Sequence, residues 1–226
     1  MPNDRWERIA AASGIVFVTL VIIHAIMIGT PPKHDDPAAK VAAYFVDNRT
    51  KILTSWYIVG LGMVFFLWFL GSLRQVLAQA EGGTGRLSSV VFGSGVMLIT
   101  LLAVHGAVDA TLAFNVAGEG NQAVVRALYG LSMMLASGFL SFPDAAFFLA
   151  ASVVIVRTGV ISRWLGWAAL PIGLVQLLGG GAILATSGPF AADGAIGYIT
   201  FITLMLWILA ASILMVLGKG LAARAS

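Results

Sequence analysis

Cysteine is missing from the chain and charge is scarce: Asp, Glu, Lys and Arg together make up 10% of 226 residues. Without a thiol the chain offers no disulfide, no thiolate nucleophile, no iron–sulfur ligation and no covalent haem attachment. So little charge leaves no hydrated surface of the kind a water-soluble domain presents. Compact catalytic signatures are missing as well. No G-x-x-x-x-G-K-[ST] run is present to cradle a phosphate, no G-x-G-x-x-G opens a helix after a strand, and no H-E-x-x-H sets two zinc ligands on one helix face. The formal charge of +3 comes from basic residues scattered over the loops rather than gathered into a stripe, so nucleic acid is not an expected partner.

What is there is apolar. Hydrophobic residues reach 59% and the mean hydropathy is +0.96. They fall in runs near 8–29, 53–73, 88–113, 127–156, 164–185 and 195–217. A helix crosses the hydrocarbon core with about 20 residues at roughly 1.5 Å each, so every run is long enough to span. Backbone groups inside a bilayer must satisfy one another, which selects helices for runs of this kind. The pattern predicts an all-α, polytopic six-helix bundle, with residues 1–226 forming a single transmembrane domain. Arg5 and Arg8 imitate the basic start of a signal peptide, but the first run ends in Gly29-Thr30-Pro31-Pro32 without a small-x-small cleavage site, so it reads as a retained helix.

Charge placement predicts the orientation. With the N-terminus inside, Arg5, Arg8, Arg74, Arg86, Arg157, Arg163, Lys219 and Arg224 face Asp4, Glu7 and Glu81 on the inner side. On the outer side Lys33, Lys40, Arg49, Lys51 and Arg126 are balanced by Asp35, Asp36, Asp47, Glu119 and Asp193. The positive-inside rule then places both termini in the cytoplasm and the protein in the cytoplasmic membrane, with anionic lipid headgroups as partners. Trp6, Trp164 and Trp167 fall at inner ends, and Trp56, Tyr57 and Tyr198 at outer ends, as interfacial anchors do.

The first outer loop carries its own element. Asp36-Pro37 reads as an N-cap followed by proline at the first helical position, opening a short amphipathic surface helix over 37–48. Val41, Tyr44, Phe45 and Asn48 share one face of it, and Lys40, Asp47 and Arg49 stay wet. Such a helix serves as an ordered connector or as a lid over a pocket.

Two spans repeat each other. Residues 13–26, SGIVFVTLVIIHAI, align without a gap to residues 94–107, SGVMLITLLAVHGA, at a constant offset of 81 residues (94 minus 13), so that Ser, Gly, Thr, Leu and His coincide. Gly166 and Gln176 echo the Gly-to-His spacing in the fifth span. The odd-numbered spans all run the same way, so the bundle reads as three helical-hairpin repeats about the membrane normal.

Ionisable groups in hydrocarbon normally face a bundle interior or a wet cavity. Four lie within the spans: His24, His105, Asp109 and Asp144. Counted from Arg8, Arg86 and Arg157, His24 lies ~24 Å up, His105 ~28 Å and Asp144 ~20 Å at the helical rise per residue. Gln176, counted from Arg163, falls at ~20 Å on the same rise. His105 and Asp109 are i and i+4 on one face. Two imidazoles and two carboxylates are a sufficient ligand set for a divalent metal such as zinc, with His24, His105, Asp109 and Asp144 as ligands. Haem with His24 and His105 as axial ligands is a further candidate cofactor. A plain packing role is the alternative: a His105–Asp109 pair, His24 as an interhelical hydrogen bonder, and Asp144 beside a kink. Pro143 frees the carbonyl of Phe139 and so marks that kink.

Through VISRWLGW at 160–167 and YFVDNR at 44–49 the chain resembles a family of uncharacterised small six-helix membrane proteins of actinobacterial type. The resemblance covers most of the hydrophobic outline and implies no activity. From the residues, the expectation is an integral membrane protein with an outward-facing intramembrane His/Asp site, formed by His24, His105, Asp109, Asp144 and Gln176, that binds a metal, a lipid or another apolar ligand. A proton-coupled small-molecule carrier is one alternative. A non-catalytic subunit or scaffold, working as a homo-oligomer or with partner membrane subunits, is the other.

Overall fold

The computed structural model describes residues 4–185, 187–191 and 193–218. Lys219 and Arg224, and the side chains of Asp4, Arg5, Trp6 and Glu7, lie outside the described residues. All regular structure among the described residues is helical. The elements are α1 (Asp4–Ile28), α2 (Ala38–Asp47), α3 (Arg49–Glu81), α4 (Arg86–Phe114), α5 (Gln122–Met133), α6 (Ser141–Thr158), α7 (Arg163–Gly179) and α8 (Ala195–Val216). A π-helical turn, Met134–Phe139, joins α5 to α6 into one span, and a 3₁₀ turn, Gly180–Ile183, extends α7. Six helices are long and apolar enough to cross a membrane, and the chain is a multi-pass α-helical bundle. Large apolar side chains such as Val64, Leu131, Leu174 and Leu206 point outward, as they do where the solvent is hydrocarbon.

Each span packs against its neighbours in sequence, and α8 returns to α1, so the six follow one another around the bundle. The fourth leans inward: it is the most buried span, and α6 also reaches α3 across the middle. Phe147 and Phe148 meet Trp207 of α8 edge to face there, and the Trp207 indole donates to the carbonyl of Leu165 at 3.1 Å.

The repeated segments of α1 and α4 clasp α3 from two sides. A Cβ on Gly14 would strike Ser212 of α8 and then the ring of Phe69, and one on Gly95 would strike Leu70, the next residue of α3. Repeat-equivalent glycines therefore let both helices close onto the same turn of α3. In the fifth span Gly166 closes in the same way onto Ile155 and Val156 of α6.

Pro143 lacks the N–H that would bond the carbonyl of Phe139, and the preceding turn absorbs the fault. Met134–Phe139 is π-helical, with Leu140 donating to Leu135, five residues back, at 3.2 Å. The extra residue resets the face that the rest of the span presents, and both Ser132 above the turn and Asp144 below it are buried.

The short helix begins one residue later than the sequence suggests. Pro37, not Asp36, stands at its N-cap, and no side chain caps it. Asp36 is occupied otherwise: its carboxylate accepts from the backbone N–H of Lys33 at 2.7 Å and pairs with Lys40 at 2.9 Å. Hydrogen bonds from Lys40 and Lys33 hold the Asp36 carboxyl below its ordinary range. Val41 and Phe45 are buried against Tyr129 and the upper part of α5, so the helix lies across the end of the bundle.

Candidate functional site

The polar residues inside the spans form two separate groups at different depths. The first lies under α2. Trp56, on α3, packs against His24 of α1 with ring centroids 4.6 Å apart and against His105 of α4 at 4.9 Å. Gly106 makes the space, because a Cβ there would run into the indole. The carboxylate of Asp109 gathers the rest. It accepts from Trp56 Nε1 at 3.3 Å and from Ser132 Oγ at 2.6 Å, and His105 Nε2 stands 3.5 Å away. The Nδ1 atoms of His24 and His105 are buried and have no hydrogen-bond partner among the described residues.

The connection carrying α2 is tied down over this group. Tyr44 donates to the carbonyl of Ile28 at 2.8 Å, Tyr129 donates to that of Pro32, and Arg126 donates to that of Asp36 at 2.9 Å. The backbone N–H of His34 reaches Asp193, beyond α7, at 3.3 Å. Burial and the nearby Asp109 carboxylate push the Tyr44 phenol up to about 12, so it remains a donor at physiological pH.

The second group borders a cavity of about 120 Å³ between the spans. Phe17 and Val21 of α1 line it, about two turns and one turn short of His24 respectively, and their repeat equivalents Leu98 and Leu102 line it from α4. Phe66 of α3, Ala136 within the π turn, Leu140 just after it, and Phe201 and Leu204 of α8 complete most of the wall. Its polar corner is Asp144, Ser141 and Thr200. Asp144 is 6% exposed, its Oδ1 atom has no hydrogen-bond partner among the described residues, and no Lys, Arg or His lines the space. Gln176 stands behind this corner, fully buried, donating to the carbonyl of Thr200 at 3.1 Å.

The five residues expected in one site are thus divided. His24, His105 and Asp109 come together around Trp56, whereas Asp144 and Gln176 belong to the cavity and its wall. The four-ligand metal centre is not assembled: Asp144 borders a space that neither histidine nor Asp109 lines, and no group of three or more His, Asp or Glu among the described residues is arranged to hold a metal ion. Haem between His24 and His105 meets a second obstacle, since the indole packed on both imidazoles would have to be displaced. Gln176 departs from the histidine pattern it echoes, meeting a backbone carbonyl of α8 instead of an aromatic ring.

Trp56 was expected as an interfacial anchor and is 8% exposed at the centre of the upper group. Its signal in the sequence is Gly106, directly after His105, which vacates room for a ring. Ser132 and Tyr129 carry no comparable signal, because nothing in α5 announces which helix it faces. Trp164, Trp167, Tyr57 and Tyr198 are all more than half exposed at span ends, as anchors are. No protein-family model, curated protein or solved structure matches the chain.

Proposed function

We propose that this protein binds a small, largely apolar molecule within the membrane, in the cavity between its spans, with the polar end of the ligand at Asp144. One observation carries the reading: a buried carboxyl oxygen without a partner borders an otherwise apolar space. Uncompensated buried polar groups cost about 1–3 kcal/mol each, and a ligand group that bonds to Asp144 recovers that energy. The volume, about 120 Å³, is of the same order as the ~150 Å³ of an engineered apolar cavity that accepts a benzene molecule. The test is binding of ethylbenzene to the protein in lipid nanodiscs, measured by equilibrium dialysis against empty nanodiscs. Wild type should hold about one equivalent above the blank, and Ala136→Phe, which fills the cavity, should hold none. Equal retention by both proteins would remove the cavity from the proposal.

The α2 end faces outward in this reading and the membrane is the cytoplasmic one, on the strength of the basic residues at the opposite end. The lack of native cysteine makes the test direct. Asp47→Cys should react with a membrane-impermeant maleimide in intact cells and Gly83→Cys should not; the reverse pattern would invert the topology.

A proton-coupled carrier is a second reading, favoured by the upper group alone: His105 stands by Asp109 through Nε2, and the Nδ1 atoms of His105 and His24 have no partner among the described residues, under a tied connection. Proteoliposomes with an internal pH-sensitive dye would acidify in response to an outside-acid gradient plus ligand, and His105→Gln would abolish the response. Ligand movement without proton movement would leave the upper group a structural clasp.

A further inference from the structure

The cavity reading can be taken one step further, to the chemical class of its ligand, and this step rests on that reading. We infer that the cavity selects a small organic cation, an ammonium group carried on an apolar body about the size of one benzene ring, with Asp144 as its counter-ion.

Three features of the wall favour a cation over a neutral molecule. The first is the acceptor: among the described residues Asp144 is the one acidic side chain on the lining, and its Oδ1 has no partner. An apolar setting disfavours a carboxylate without a counter-charge, and a ligand bringing positive charge stabilises the ionised form of Asp144, which a hydroxyl does not. The second is the aromatic lining. Phe17, Phe66 and Phe201 come from α1, α3 and α8, and Phe17 and Phe66 lie with centroids 4.6 Å apart. Ring faces attract cations, and more strongly where water is excluded. The third is that the neighbouring hydroxyls are already directed: Ser141 donates to the carbonyl of Ser137 at 3.1 Å and Thr200 donates to that of Gly197 at 2.8 Å. With their protons committed, both oxygens keep acceptor capacity, which an ammonium N–H can use and an anion cannot.

Geometry separates this site from the upper group. None of His24, His105 and Asp109 lines the cavity, and no basic side chain competes for Asp144 there. The restricted volume matches a ligand body of about one ring and is too small for a whole long acyl chain.

The test compares three probes of one shape in nanodiscs at pH 7.5: benzylammonium, benzyl alcohol and ethylbenzene. Benzylammonium should bind most tightly to wild type. Asp144→Asn should weaken it at least tenfold, about 1.4 kcal/mol, and change ethylbenzene less than twofold. Phe201→Leu, at a partly exposed ring of the wall, should weaken benzylammonium by a larger factor than ethylbenzene. If benzyl alcohol binds as tightly as benzylammonium, or Asp144→Asn leaves benzylammonium binding intact, the cation assignment is overturned while ethylbenzene binding still upholds the cavity. If no probe binds above the empty-nanodisc blank, the cavity reading itself fails and the cation assignment falls with it.

Discussion

The upper group and the cavity corner differ in how their buried carboxylates are used. Asp109 is surrounded by donors from three helices: the Trp56 indole, the Ser132 hydroxyl and, at a longer distance, His105. Asp144 lies deeper among apolar side chains, and one of its oxygens faces none. A carboxylate of the first kind joins helices, because removing it strands each donor it held. One of the second kind adds little to the bundle and is an unexplained expense unless something else completes it. The same residue type at neighbouring depths thus serves two ends, and the partners, not the residue, tell them apart.

Substitution of these two carboxylates is the sharpest way to break the contrast. Asp109→Ala leaves the Trp56 and Ser132 donors buried and should destabilise the protein by about 3 kcal/mol, seen as a large drop in the unfolding midpoint in detergent. Gly106→Ala attacks the same region through volume. It pushes on the indole that both imidazoles pack against and should cost about 1–3 kcal/mol by the same measurement. Asp144→Asn should move stability by no more than about 1 kcal/mol, in the stabilising direction, since it removes an incompletely paired acid. A loss comparable to that of Asp109→Ala would make Asp144 a structural group and end the distinction.

The smallest effect concerns the tie over the upper group. Asp36 has a folded pKa below its reference value of 3.8. Its contribution is therefore complete above pH 3.8 and disappears as pH falls from there through the lower folded value. Hydrogen exchange of the α2 amides should be unchanged between pH 7 and 5, after correction for intrinsic rates, and should quicken only below about pH 4. In Asp36→Asn this acid-dependent step should be absent. Acceleration at pH 6 would assign the loosening to an imidazole instead.

Much of the architecture was legible because hydrocarbon imposes a simple rule: the six apolar runs match the six helices to within a few residues, except at α3, which begins at Arg49 and continues to Glu81. Polar residues such as Arg74 and Gln75 interrupt hydropathy without interrupting the helix. The glycine-histidine repeat was legible too, and its meaning became clear only in three dimensions, where both copies close on α3. Depth along a helix follows from counting residues, but rotation about its axis does not. Counting gave Asp144 and Gln176 depths close to that of His24, whereas the cavity to which they belong is lined on α1 by Phe17 and Val21, below His24. Trp56 shows the converse, since its position near a span end suggested an interface and its direction put it inside.

The π turn between α5 and α6 bears on how this chain tolerates change. Removing any one residue from Met134–Phe139 would let that turn close to α-helical spacing, and everything from Ser141 onward would swing by about 100° relative to Tyr129 and Ser132. Asp144 would leave the cavity while Phe147 and Phe148 left the core, although no side chain in the deleted stretch is charged. Ala136 and Ser137 look dispensable by their chemistry, yet the six-residue turn in which they sit works as a spacer whose length is the specification. A survey of point substitutions would pass over such a constraint, and a single-codon deletion would expose it.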